Sequence, residues 1–317
     1  MRAIVVTEFG GPEVLVPAEI PDPEPADGEV LIEVDRAGVN YADTHQAENT
    51  YLSRTRLPFV PGAEVVGRTP QGRRIVSLVD SGGYAQRAVA EEGRAFDVPD
   101  AVDDASALAL VVQGATAWLL LNRIARVQPG ESVVVHAAAG GVGSLAVQLA
   151  KALGAGRVIA TASTPEKRDL ALSLGADVAL DAETDDLTEA LRDAKGGRRV
   201  DVVLDMTGGE VTDRSLAALA PLGRLAFYGM ASRRPPTPVA PASLLAHSTS
   251  ISGMWLPHAF TVPGLMPRVM DELFTMTAAG SLRVIHGGEY PLSEARRAHE
   301  DLRARRTIGK LVLDPSR

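Results

Sequence analysis

The chain has 317 residues, 45% hydrophobic and 23% charged, which excludes a disordered or fibrous polypeptide and gives length for about two domains. Lysine and arginine total 32 against 40 aspartate and glutamate, and a net charge of −8 argues against a nucleic-acid-binding role. There is no cysteine, so disulfides, thiolate-held zinc, iron–sulfur clusters and cysteine nucleophiles are excluded together.

The first apolar run, Ile4 to Val6, is followed at once by Glu8 and is too short for a signal peptide. With the lack of cysteine, this fits a cytoplasmic protein. Residues 1–100 read as β-rich, with strand-like runs at 3–7, 29–34, 63–67, 74–78 and 85–89. Turn residues separate them: Gly10-Gly11-Pro12, Asp27-Gly28, Pro61-Gly62, Gly82-Gly83, and a surface loop from Pro21 to Pro25. The longest uncharged apolar stretch, 105–121, is shorter than the ~20 residues of a membrane span and reads as buried core. No membrane partner is expected.

After about residue 125, strands recur at 132–135, 157–161, 177–180, 200–205, 224–228 and 249–253, with helical patterns between them. Leu145, Leu149 and Leu153 share a helix face and Gly154 follows as its cap. Thr164-Pro165-Glu166 reads as an N-cap, a proline at the first helical position and an acidic first turn. Leu187 and Leu191 mark a third helix, and Leu216, Leu219 and Ala220 a fourth. This alternation predicts a Rossmann-type, doubly wound parallel α/β sheet. Residues 294–302 read as a polar helix and 309–313 as a strand returning to the first domain.

The strongest chemical signal runs from Ser132 to Ser144. An apolar strand enters His136-Ala137-Ala138-Ala139-Gly140-Gly141-Val142-Gly143, then a helix. Ala138, Gly140 and Gly143 occupy the three small-residue positions of a dinucleotide-binding fingerprint. Small residues admit a pyrophosphate to the backbone, and the helix N-terminus offers unpaired N–H groups and partial positive charge. The alternative is a tight strand–helix turn whose glycines serve packing alone. An NAD enzyme usually places a carboxylate on the ribose about 20 residues further on; here that position falls near Ser163, with no acid at the strand tip. Ser163, Lys167 and Arg168 suit a 2′-phosphate, which favours NADP(H) over NAD(H). Their alternatives are an N-cap for Ser163 or Thr164 and a solvated helix face for the two cations. Gly208-Gly209 and Tyr228-Gly229 fall at carboxyl ends of strands, where such sheets bind ligands.

With the loop in place, the chain resembles the medium-chain dehydrogenase/reductase superfamily, closest to its zinc-independent, zeta-crystallin-like quinone oxidoreductase branch. The resemblance spans nearly the whole chain. It rests on Ala37-Gly38-Val39-Asn40-Tyr41-Ala42-Asp43-Thr44, Pro61-Gly62-Ala63-Glu64, Gly82-Gly83-Tyr84-Ala85-Gln86, Gln113-Gly114-Ala115-Thr116-Ala117, the loop Ala137 to Gly143, Ala298-His299 and Gly309-Lys310-Leu311-Val312-Leu313. It implies a β-rich GroES-like catalytic domain from 1–120 plus 285–317, a Rossmann domain at 121–284, and an active site in the cleft. It implies a homodimer or tetramer, with 249–253 as a pairing edge strand. It places Asn40, Asp43 and His45 as catalytic candidates. Gln113 and Thr116 would lie beside the nicotinamide ribose, and Lys310 near the cofactor phosphate or the cleft.

The chain departs from the family pattern in four places. Many members of the branch carry tyrosine where His45 stands; a histidine there donates a hydrogen bond and also delivers a proton near neutral pH. The bland readings are that Asn40 and Asp43 cap a turn and that His45 is a surface residue. Zinc-dependent relatives carry histidine where Ala63 stands, so no metal is expected. The cysteine-rich zinc lobe is missing. Asp181 stands after the third strand, near where relatives often carry tyrosine, and would repel a 2′-phosphate if it pointed inward. The implied activity is NADPH-dependent hydride transfer to a quinone or an α,β-unsaturated carbonyl. Enoyl-thioester reduction and non-enzymatic NADPH binding are the alternatives.

Overall fold

The computed structural model describes all residues, 1–317. Seven strands come first: β1 (Arg2–Val5), β2 (Val16–Glu19), β3 (Glu29–Val39), β4 (Glu64–Arg68), β5 (Arg74–Leu78), β6 (Arg87–Glu91) and β7 (Ala95–Asp97). Six follow in the middle of the chain: β8 (Ser132–Val135), β9 (Arg157–Ala162), β10 (Val178–Asp181), β11 (Val200–Asp205), β12 (Leu219–Phe227) and β13 (Ser250–Gly253). β14 (His286–Pro291) and β15 (Lys310–Asp314) close the list. The chain divides into two compact units, Met1–Val112 with Pro263–Arg317, and Gln113–Val262. The expected breaks lie after residues 120 and 284, so the helix Leu265–Ala278 groups here with the first unit.

In the first unit, β1 pairs antiparallel with β2, and a larger sheet runs β14-β15-β3-β4-β5-β7 with β6 also on β3. β15 lies antiparallel to β3, placing Leu311 opposite Val39 and returning the C-terminal tail to this unit. β3 extends to Val39, five residues beyond the predicted strand, because its last residues pair with β4 and β15. Ile4, Val6, Ile32, Val65, Ile75, Leu311 and Leu313 fill its core. The helix Ala295–Arg303 is polar in composition but not in placement. Ala295, Ala298 and His299 are buried at helical spacing.

The second unit holds a six-stranded parallel sheet in the order β10-β9-β8-β11-β12-β13, the doubly wound arrangement. β8 and β11 match prediction to the residue, since valine and leucine dominate them as they do buried parallel strands. The helix Glu210–Ala218 ends before Leu219 and Ala220, which start β12 instead. Thr164 caps the helix Pro165–Ser173, accepting from the Lys167 N–H at 3.3 Å. The apolar segment around Trp118 is a continuous helix, Asp104–Ile124. It is long and apolar enough to cross a membrane, and 83% of its apolar window is buried inside the protein.

Candidate cofactor and substrate sites

In the second unit, β8 leads into the glycine-rich loop. Ala137 adopts φ +51°, a left-handed conformation that costs an L-residue and is held only where its surroundings impose it. The Gly140 N–H closes back on the Ala137 carbonyl at 2.9 Å, and the Ala138 N–H donates to Thr161 at the adjacent strand at 3.0 Å. The helix Gly141–Ala152 starts with no capping side chain and no acidic residue in its first turn. The N–H groups of Gly141, Val142 and Gly143 therefore have no intrahelical acceptor. A Cβ on Gly143 would lie 2.7 Å from Ala138 Cα and collide with the Ala137 carbonyl. A Cβ on Gly141 would run first into the Gln113 side chain. An anion is what such a loop accommodates: backbone close enough to touch, donors pointing out, dipole positive.

Gln113 sits in a π-helical turn, Leu110–Gly114, and Thr116 just after it; both are buried. Such a turn shifts side chains off the regular helical register and is frequent at functional sites. His136, buried at the end of β8, is held by Thr161 (3.0 Å) and Ser215 (2.8 Å). Burial keeps its ring below the ordinary histidine range, so it is a structural residue. Beyond β11, Asp205 organises the turn through Gly208. Its carboxylate accepts from the Thr207 N–H (2.7 Å), the Gly208 N–H (3.4 Å) and the Thr212 hydroxyl (2.5 Å). The loop after β12 zips onto that turn: Tyr228 N–H to Asp205, Ala231 to Met206 and Ser232 to Thr207, each at 2.9 Å. A Cβ on Gly229 would stand 3.2 Å from Met206. The Tyr228 hydroxyl is buried without a partner, and burial beside Asp205 raises its pKa.

At the tip of β9, Ser163 is half-buried and follows Ala162 directly. Lys167 lies on the first turn of the next helix. Arg168 is a paired cation rather than a freely solvated one. Its guanidinium donates to Asp181 at 2.9 Å and to the Ala162 carbonyl at 3.3 Å. Its charge is thus already matched by the acid that follows the third strand.

In the first unit, the helix Tyr41–Ala47 starts at Asn40, whose N–H donates to the Asp43 carboxylate at 2.8 Å. The Asn40 side-chain amide donates to Glu64 at 2.6 Å and accepts from Lys310 at 3.3 Å. Lys310 also forms an ion pair with Glu64, and both side chains are 0% exposed. On its other side, Asp43 accepts from the Tyr84 hydroxyl at 2.8 Å, and Tyr84 meets His299 Nε2 at 3.0 Å. Six polar residues thus form one buried chain from Lys310 to His299, linked between Asn40 and Asp43 through the Asn40 backbone N–H. Because Tyr84 donates to Asp43, the His299 ring donates from Nε2, leaving Nδ1 without a partner.

Lys310 is buried inside its own unit against Glu64. Asp43 is fully buried as the third residue of the helix and a partner of Tyr84. Asn40 is a linker between Glu64 and Lys310. His45 is not a surface residue: it is 9% exposed, its Nδ1 lies 2.9 Å from the Thr50 hydroxyl, and its ring stands 5.6 Å from that of Tyr41. Glu64, Tyr84 and His299 were missed as a network, although each stands in a motif quoted for the resemblance.

Burial pushes the Asp43 carboxyl up to about 7 from an ordinary 3.8, against the opposing hydrogen bonds from Asn40 and Tyr84. Burial pushes His299 down to about 3 from 6.5, and nearby Arg303 adds to it. The two act on folding in opposite senses. Folded Asp43 keeps a proton the unfolded chain releases, so its contribution is complete below pH 3.8 and lost as pH rises through about 7. Folded His299 refuses a proton the unfolded chain takes up, so its contribution is complete above pH 6.5 and lost as pH falls towards 3. Asp43→Asn is therefore expected to show a steeper rise in unfolding free energy from about pH 4 to 6.5 than the parent, and His299→Gln a shallower one. Urea unfolding at intervals of pH checks this; parallel curves for all three chains contradict it.

Residues 26–100 match the alcohol dehydrogenase GroES-like domain family, and residues 141–274 the zinc-binding dehydrogenase family. A quinone oxidoreductase of Rattus norvegicus is 32% identical, over 99% of this chain and 97% of its own length. The crystal structure of Escherichia coli quinone oxidoreductase complexed with NADPH superposes with a TM-score of 0.93 at 32% identity, covering 99% of this chain and 100% of that one. A mycobacterial protein complexed with NADPH gives a TM-score of 0.93 at 39% identity, with 99% and 100% covered. The chain belongs to the medium-chain dehydrogenase/reductase superfamily, in its zeta-crystallin-like quinone oxidoreductase branch. No group of three or more histidine, aspartate or glutamate side chains converges as a metal site.

Proposed function

We propose that the chain is an NADPH-dependent, zinc-independent oxidoreductase acting on a quinone or an α,β-unsaturated carbonyl. The observation that carries the reading is the uncapped first turn at Gly141–Gly143, set against the strained Ala137 turn, in a chain whose relatives are quinone oxidoreductases. Two structural relatives are complexed with NADPH. Bound there, NADPH supplies the hydride. The pyrophosphate is held by the N–H groups of Gly141, Val142 and Gly143. Gln113 and Thr116 position the nicotinamide ribose, and Ser163 and Lys167 receive the 2′-phosphate. Gly208, Tyr228 and Gly229 form the strand-end wall that keeps the cofactor in register. His45, oriented through Nδ1 by Thr50, holds the proton donated to the acceptor oxygen. Asn40, Asp43 and Lys310 act as support for the helix that carries His45.

Zinc independence rests on sequence: no cysteine is present, and Ala63 stands where zinc-dependent relatives carry histidine. An acceptor that needs no metal to be electrophilic follows from that. A homodimer is the proposed assembly, since β13 is an outer strand of the parallel sheet with one unpaired edge.

The test is anaerobic oxidation of NADPH and NADH by the purified protein with an ortho-quinone, an enone and an enoyl thioester in parallel. Turnover of the quinone or the enone with NADPH is expected. Preferred turnover of the thioester reassigns the enzyme to enoyl reduction, and tight NADPH binding without turnover of any acceptor makes it a binding protein.

A further inference from the structure

In this sheet order the carboxyl end of β9 receives the adenosine ribose, so the side chains around Ala162 set which dinucleotide is preferred. The strand tip carries an unusual combination for a site meant to hold a 2′-phosphate. Arg168 lies across it, bonded to the Ala162 carbonyl at 3.3 Å, and its guanidinium is paired with Asp181 at 2.9 Å. Asp181 is itself fixed, because its other carboxylate oxygen accepts the Glu183 N–H at 3.0 Å. The cation best shaped to grip a phosphate thus stands at the right strand end, with its charge matched one for one by a carboxylate on the neighbouring strand. Guanidinium binds carboxylate and phosphate through the same forked donors, so the two anions compete for it.

We infer that Asp181 is a specificity-determining residue, which lowers the preference for NADPH over NADH by holding Arg168 away from the 2′-phosphate. The inference rests on the NADPH reading above and goes beyond it: it concerns how strongly the two dinucleotides are told apart. The pair is partly solvent-exposed, 22% for Arg168 and 48% for Asp181, so it is weak and exchangeable rather than a fold-determining contact. Losing Asp181 therefore frees Arg168 without unfolding the unit. Asparagine is the replacement of choice, because its Oδ1 still accepts the Glu183 N–H and preserves the turn.

The experiment is equilibrium titration of the full chain with NADPH and with NADH, read as the ratio of the two dissociation constants, for the parent, Asp181→Asn, Arg168→Gln and the double variant. Asp181→Asn is expected to raise the preference for NADPH about tenfold over the parent, the scale of one charge-assisted contact. The double variant is expected to show no such gain over Arg168→Gln alone. No change in the ratio for Asp181→Asn overturns the inference. A gain of equal size in the Arg168→Gln background also overturns it, since Asp181 would then act by direct repulsion. Failure of the parent chain to bind either dinucleotide is a separate outcome, which removes the cofactor reading and this inference with it.

Discussion

Gly143→Ala is expected to abolish measurable NADPH binding, with a loss of about a hundredfold or more, and to destabilise the second unit by about 1–3 kcal/mol. The reason is steric and local. The new Cβ would stand 2.7 Å from Ala138 Cα and inside the Ala137 carbonyl, and neither is a flexible side-chain end. The helix Gly141–Ala152 must then back away from β8, carrying with it the N–H groups that converge on the loop. The neighbouring Gly141→Ala is the control. The nearest neighbours of its Cβ are the end atoms of the flexible Gln113 side chain, which can turn aside, so the stability cost should be smaller while affinity still falls. Fluorescence titration with NADPH and urea unfolding of the two variants check both halves. Equal affinity losses without any stability difference would contradict the packing role of Gly143.

The second large effect lies in the first unit. Lys310→Met leaves the Glu64 carboxylate buried without its counter-charge, and is expected to cost about 3–5 kcal/mol of stability. Adding Glu64→Gln should return most of that loss, because the glutamine carbonyl still accepts from the Asn40 amide and no unpaired charge remains. The double variant is thus more stable than Lys310→Met alone. Denaturant unfolding of the parent, both single variants and the double variant measures the coupling. Additive losses would show that Lys310 and Glu64 contribute independently, against the ion pair described here.

The sheet of the second unit was legible because its signals are local. Ser132–Val135 and Val200–Asp205 are short strands dominated by valine and leucine, as strands of a buried parallel sheet are. Thr164-Pro165 marks its helix start by the same short-range logic. Where local patterns compete, prediction failed. Leu219 and Ala220 continue the helical spacing of Leu216, yet β12 takes them to pair with β11. The strand-to-helix turn Ala137–Gly143 was legible from its small residues, but the left-handed turn at an alanine was not, since nothing in its side chain announces it.

The buried network shows the opposite limit. Lys310 and Glu64 are 246 residues apart and Tyr84 and His299 are 215 apart, so no spacing rule connects them. The resemblance puts Lys310 near the cofactor phosphate or the cleft; the antiparallel return of β15 onto β3 sets its side chain inward against Glu64. Arg168 and Asp181 are nearer in sequence, and each was read for its own charge. Their neutralising each other needs the parallel register that sets Asp181 opposite Ala162.

Titration of the purified chain with NADPH, followed by nicotinamide fluorescence, tests the central claim most directly. The loop and its uncapped helix predict saturable binding at one NADPH per chain, lost in Gly143→Ala. A signal that does not saturate, or binding that survives Gly143→Ala unchanged, would contradict the assignment of the Ala137–Gly143 loop as the cofactor cradle.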